Sequence, residues 1–161
     1  MALDSFLKLG ELKGESVVKG FEDQIQLLAW SWGMSQSGTT HMASGGGAGK
    51  VNVQDLSFTH YVDSSSPNLI KACCAGTHYA TGTLTMRKAG GTALEYVKIT
   101  LNDIIVTSVS SGGSGGEDLL SENVSLNFGK FKYEYQPQDN TGAKKGGAIS
   151  AGYDIAKGVA S

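Results

Sequence analysis

Proline and cysteine are nearly missing from this sequence, and each shortage excludes something. Two prolines stand against 23 glycines in 161 residues. Disordered linkers are commonly rich in both, so the surplus glycine points instead to loops and bulges in a β-rich fold. The cysteines, Cys73 and Cys74, are adjacent. Neighbouring thiols bridge only with strain, and there is no Cys-x-x-Cys pair. This excludes a disulfide framework and fits maturation in a reducing cytoplasm. Neither sign of charge prevails: 13 basic side chains against 15 acidic give a net charge of −2. That balance lacks the basic footprint of a nucleic-acid binder and the polybasic patch of a membrane-surface protein. No apolar run approaches the length of a membrane span, so no membrane insertion is expected. The opening "MALDSFLKLGELKGE" has no basic segment followed by an apolar core, so no secretory leader is expected. The expectation is one soluble domain, made in the cytoplasm and large enough to bury a core.

Catalytic constellations are equally scarce. "ASGGGAGKVNVQD", Ala43 to Asp55, invites a phosphate-loop reading, but its spacing fails. The motif needs Gly, four residues, then Gly-Lys-Ser/Thr. Ser44 stands at the first position, and Val51 stands where the magnesium-binding hydroxyl belongs. The next stretch, "VNVQDLSF", has strand character, whereas a phosphate loop opens a helix. His41, His60 and His78 show no metal-ligand spacing, and no cysteine lies at zinc-finger distance. Each is expected to be an exposed or hydrogen-bonded histidine. No Gly-x-Ser-x-Gly elbow supports a hydrolase. Glu117, Asp118 and Glu122 read as a solvated acidic turn opening a strand. No catalytic residue, metal ligand or cofactor site is assigned, and the protein is expected not to be an enzyme.

Strand-like alternation is what the sequence does have. Leu3, Ser5, Leu7 and Leu9 form a period-2 set. Ile25, Leu27, Ala29 and Ser31 alternate with a second face that grows apolar through Leu28, Trp30 and Trp32. Val51 to Val62 reads as a strand, and Tyr79–Lys88 with Leu94–Val109 reads as a hairpin. In Leu119–Gln136 the apolar phase slips by one at Gly129–Lys130, which predicts a glycine bulge. Ile149, Ala151, Tyr153 and Ile155 close the series. One helix is expected over 66–75, with Ser66 as N-cap, Pro67 in the first position and Gly76 past the end. Its apolar stripe is Leu69, Ile70, Cys73 and Cys74, which assigns the thiols to packing. The fold class is mainly β: a compact antiparallel β-barrel of two sheets, with eight or nine strands and one short helix.

Two glycine-rich segments, an extended loop at 38–50 and a second loop at 110–116, exceed what plain turns need in one domain spanning 1–161. Long strands also have edges that must be covered or used. The residues therefore leave two readings open. One is a module that pairs with copies of itself. The other is a monomeric β-barrel binding module that holds a carbohydrate or peptide on its Trp30 and Trp32 face.

"LLAWSWGMSQSG", "HMASGGGAGKVNVQDLSFTHYVDSSSPNL", "LTMRKAGG" and "GGSGGEDLLSENVSLNFGKFKYEYQPQ" closely resemble the hemolysin-coregulated protein (Hcp) family of the bacterial type VI secretion system. The resemblance runs from "DSFLKLGELKGES" to "GYDIAKG", essentially the whole chain. It implies hexameric rings with a central channel, stacked into a tube that a contractile sheath expels together with its spike. It also implies baseplate contacts, small effector proteins carried in the channel, and release to the extracellular space or a target cell. Such proteins are not enzymes unless a toxin domain is fused after them, and with the sequence ending at Ser161 none is expected. The resemblance puts the first loop, with Gly45, Gly46, Gly47, Gly49 and Lys50, at ring stacking. The loop at 110–116 is expected at a ring face. Ala29, Ser31 and Gly33 are the candidate contacts to channel and cargo.

Overall fold

A computed structural model describes residues 3–38, 50–88 and 94–161. In chain order these form β1 (Leu3–Leu9), β2 (Ile25–Leu27), β3 (Ala29–Ser31), β4 (Met34–Gln36), β5 (Val51–Val53) and β6 (Leu56–Tyr61). Beyond them come α1 (Ser66–Ala75), β7 (His78–Lys88), β8 (Glu95–Gly112), β9 (Ser121–Tyr135), β10 (Ile149–Asp154) and β11 (Val159–Ala160). The strand count exceeds the expected eight or nine because two expected strands break and the short β4 and β11 are added. The segment 25–32 divides into β2 and β3, and 51–62 divides into β5 and β6 around Gln54 and Asp55.

Nine strands form one antiparallel sheet in the order β11-β10-β9-β8-β7-β1-β2, with β3 on β6 and β6 on β9. The circuit returns on itself through residues 25–31. There β2 pairs β1, β3 pairs β6, and Leu28 between them donates its N–H to Thr59 O at 2.8 Å. The inward phase changes at the same residue. Ile25 and Leu27 are buried, but beyond Leu28 it is Trp30 and Trp32 that pack on the core, leaving Ala29 and Ser31 exposed. β4 and β5 pair separately as a two-stranded sheet. The expected β-barrel of two sheets with one helix is what the chain forms.

The interior is filled by alternate residues of the long strands: Leu84 and Met86, then Ile99 and Leu101, then Val124 and Leu126. β1 is buried on both faces. Leu7 and Leu9 enter the core, while Phe6 stacks on Phe21 from the loop after β1 at 4.4 Å. The Arg87 guanidinium lies over both rings, 5.7 Å and 5.3 Å from their centroids, a cation–π arrangement that closes this loop onto the barrel.

The phase slip at Gly129–Lys130 is present, but it is not a one-strand bulge. Phe128 and Phe131 are both buried on β9, and Leu101 and Ile104 are both buried on β8. Both strands therefore change their inward phase at one level, and the register holds from Asn102↔Lys130 to Ile104↔Phe128. Asp103 adopts a left-handed backbone there, φ 54°. The register shift falls instead between Val106 and Ser108. The bend is needed because β9 exchanges neighbours at this level, pairing β6 up to Leu126 and β10 from Lys130 onward.

The helix has its expected bounds, and Gly76 ends it with φ 66°, its N–H bonded to Ala72 O. Its cap differs from expectation. Ser65 is the N-cap residue, and Ser66 Oγ accepts from Asp63 N at 3.1 Å. The packed stripe is also narrower. Leu69, Ala72 and half-buried Cys73 face the core, whereas Ile70 and Cys74 are exposed. Each of these two comes directly after a packed residue and so points about 100° away around the helix.

Candidate functional site

Where β3, β6, β9 and β8 adjoin, the outward sheet surface is made almost wholly of small polar side chains. Antiparallel register sets them in rows. Ser31 pairs with Ser57, Ser57 with Ser125, and Ser125 with Ser108. The next row is Ala29, Thr59, Asn123 and Ser110. The inner residues of the same strands, such as Phe58, Val124 and Leu126, are buried, so alternation alone turns the hydroxyls outward.

Much of the hydrogen-bonding capacity of this face is used across strands. Ser57 Oγ and Ser125 Oγ are 3.1 Å apart, and Thr59 Oγ1 donates to Asn123 Oδ1. At the rim, Asp55 accepts from Thr107 Oγ1 at 2.8 Å and from Asn127 Nδ2 at 2.9 Å. These bonds tie the bulged part of β8 to the segment between β5 and β6. The two rows carry no ionisable side chain. The result is a nearly neutral wall with short polar side chains, some bonded to one another across strands.

Of the three channel candidates, Ala29 and Ser31 lie on this wall and are exposed. Gly33 lies just past it, half-buried at the root of β4, where its carbonyl accepts from Gln54 N at 2.9 Å. Sequence reasoning missed the partners of Ser31 on β6, β9 and β8. Their signal was the outward phase of each strand, Ser57 and Thr59 alternating with Leu56 and Phe58, but nothing local shows that these strands are neighbours.

The second feature is the arm. β4 and β5 pair as Met34↔Val53, Ser35↔Asn52 and Gln36↔Val51, so the residues flanking the extended loop form an antiparallel stem. Gly45, Gly46, Gly47 and Gly49 lie outside the described residues. Lys50 is exposed and leads directly into β5, so the lysine of the phosphate-loop reading precedes a strand, not a helix. Below the stem runs an apolar groove of about 560 Å3 lined by Trp32, Met34, Val51, Val53, Phe131 and Tyr153. Trp32 anchors the stem's root. Its indole N–H donates to Gln54 O at 3.0 Å and its ring meets Phe131 edge-on at 4.8 Å. With Trp30 and Trp32 both packed on the core, the two do not form an open tryptophan platform for a sugar or peptide.

Two further expectations are corrected. β8 runs through Gly112, so Ser110, Ser111 and Gly112 are strand, and the second glycine-rich loop begins at Gly113. Glu122 is 1% exposed, not part of a solvated turn. It shares the inward phase of Val124 and Leu126 and is bonded to His60. His78 is exposed, and His41 lies outside the described residues. Among the described residues no cluster of His, Cys, Asp or Glu could hold a metal ion, and no helix is long and apolar enough to cross a membrane.

The class of protein these features define is a two-sheet β-barrel with one short helix, a neutral polar outward face and a separate β4–β5 pair. Residues 6–135 match the family described as "Type VI secretion system effector, Hcp". The chain is 58% identical over 160 residues, 99% of each chain, to Protein hcp1 of Pseudomonas aeruginosa. It is 41% identical to Hcp1 from Salmonella typhimurium, whose crystal structure superposes with a TM-score of 0.84 over 100% of both chains. A solved type six secretion system protein gives a TM-score of 0.93 at 26% identity, over 99% of this chain and 100% of that one. The chain belongs to the Hcp family. It is a structural, secreted component of the type VI secretion system, a subunit of the rings that stack into its tube. The monomeric carbohydrate- or peptide-binding reading gains no support from these likenesses.

Proposed function

We propose that the Ser/Thr/Asn face of β3, β6, β9 and β8 lines the channel of the assembled ring, and that the β4–β5 arm joins one ring to the next. Small effector proteins travel against this wall, with Ala29, Ser31 and Gly33 among their contacts. The observation that carries the reading is the chemistry of the two rows. Short uncharged hydroxyl and amide groups hold a partner weakly, because one protein hydrogen bond is worth only about 0.5–1.5 kcal/mol net. Such a wall wets, holds cargo weakly and lets it go. It also places no charge where copies face one another across a shared lumen.

The dimensions agree with the task. Four strands at about 4.8 Å spacing cover roughly 19 Å. With strands along the axis, a hexamer of such faces has a perimeter of about 115 Å and a bore of roughly 37 Å, by the same spacing. The arm, on its own stem and outside the main sheet, suits the axial contact, since one repeated contact must close the ring and another must extend the tube. Segment 113–116 sits at a ring face. The tube meets the spike at its tip, the contractile sheath around it and the baseplate beneath. The subunit is made in the cytoplasm, exported by this machine, and works by assembly instead of catalysis.

The wall is tested with Ser108→Cys in a Cys73→Ser, Cys74→Ser background. In isolated subunits the new thiol should react with a small maleimide and with a maleimide on a polymer wider than the bore. In assembled tubes only the small reagent should react. Equal polymer labelling of tubes, or no labelling by either reagent, would show that this face lies outside the assembly or inside a subunit contact.

A further inference from the structure

His60 and Glu122 are the buried ionisable pair of this barrel, 0% and 1% exposed. They are register partners on β6 and β9, and His60 Nε2 lies 2.7 Å from Glu122 Oε1. The other ring nitrogen, Nδ1, faces Asp63 Oδ2 at 3.7 Å. That is an ionic contact and not a formed hydrogen bond, and Nδ1 has no other partner. Asp63 in turn organises the start of the helix. Its carboxylate accepts from Ser65 N and Ser65 Oγ, its carbonyl accepts from Ser66 N, and its own N–H donates to Ser66 Oγ.

This geometry selects a protonation state. With Nε2–H donating to Glu122, a neutral ring would aim the Nδ1 lone pair at the Asp63 carboxylate, a repulsive contact. An imidazolium presents N–H to both carboxylates. The other packed elements offer little competition. β2 contributes apolar Ile25 and Leu27, β8 brings Ser111 beside Glu122, and α1 turns Ser66, Leu69, Ala72 and the Cys73 thiol toward the barrel. The loop after β1 reaches only Ser64, through Glu15 Oε2 and the Lys13 carbonyl.

We propose that His60, Glu122 and Asp63 form a proton-dependent latch, which fastens the loop 62–65 and the first turn of α1 to the barrel while His60 is charged. Burial is the largest single influence on His60 and works against its charge. The facing Asp63 carboxylate and the hydrogen-bonded Glu122 carboxylate together outweigh it, so the ring is held above its ordinary 6.5. For Asp63, burial again opposes the charge, and contacts with His60 and Ser65 outweigh it, holding the carboxyl below its ordinary 3.8. A raised histidine stabilises fully below 6.5 and loses that contribution as pH rises through its folded value. A lowered carboxyl stabilises above 3.8 and loses it as pH falls through its folded value. The latch is therefore closed between those limits and opens on the alkaline side.

Opening also alters a surface. Asp63 and Glu122 line the floor of a notch of about 380 Å3 whose apolar walls are Val62, Pro67, Ile70 and Leu120. Loosening 62–66 reshapes that notch without unfolding the barrel.

The test uses the full chain in its assembled form. Nitrogen-resolved NMR of His60 should give a titration midpoint above 6.5 and a mainly doubly protonated ring below that midpoint. Hydrogen exchange, corrected for intrinsic rate, should show protection of amides 62–70 falling above that midpoint while strand β8 stays protected. His60→Gln, which retains a donor for Glu122, should abolish the pH dependence of that segment. A midpoint below 6.5, or a segment 62–70 whose protection keeps the same pH profile in His60→Gln as in the parent, overturns the latch.

Discussion

Replacing Ser31 by glutamate adds one carboxylate to each subunit, on an exposed strand position. The effect depends on where that position lies in the ring. If the face of Ser31 lines the channel, equivalent carboxylates on adjacent subunits stand about 19 Å apart, taking four strands at ~4.8 Å per subunit. Their repulsion in water is then about 0.2 kcal/mol per neighbouring pair. Salt with a Debye length near 8 Å reduces it further. Ring assembly should not notice. Cargo should, because the wall acquires a band of negative charge that repels acidic effectors and holds basic ones longer. If Ser31 instead sits inside a contact between subunits, the carboxylate is desolvated without a partner. That costs several kcal/mol per ion, enough to dissolve an assembly held by modest interfaces. Size-exclusion chromatography with light scattering reads the assembly, and co-purification of an effector reads the cargo. The expected result is intact rings with altered cargo retention. Release of monomers would refute the channel position, and intact rings with unchanged retention would refute the cargo contact.

Shortening Gly45–Gly49 should leave single rings in electron micrographs but reduce stacking and secretion; failure to form rings would mean that the arm serves the lateral contact. Gly14→Ala should destabilise the fold by about 1–3 kcal/mol in urea titration. A Cβ there meets the backbone of Gln24 and Ile25 at 2.6–2.8 Å. Backbone cannot yield as a flexible side-chain end does, so a neutral result would show that the loop after β1 is not pinned to the start of β2.

The helix is the most legible element because its signals are local. Pro67 fits the first turn, Gly76 supplies the left-handed residue, and both act within the span of ten residues they delimit. Ser66 looks like the cap because serines fill the positions before Pro67, and only the contact from Asp63 decides among them. The strands are legible as strands, since period 2 is also a local property. Their breaks at Leu28 and at Gln54–Asp55 are not, because each lies where a strand exchanges one neighbour for another. The neutral wall is half visible: alternation points to Ser31, but it does not join Ser57, Ser125 and Ser108 to it.

The buried pair shows the limit most plainly. His60 shares the phase of Leu56 and Phe58, and Glu122 that of Val124 and Leu126, so each inward direction is written in its own strand. That they meet is not, for they are 62 positions apart. The sequence by itself determined the β-rich class, the helix and its ends, and the family, because periodicity, capping chemistry and motif strings are short-range or additive. The tertiary structure alone decided which strands adjoin, where the circuit closes and which polar side chains end up facing each other. Those depend on register, and register is a competition among whole-strand pairings that no single stretch of chain encodes.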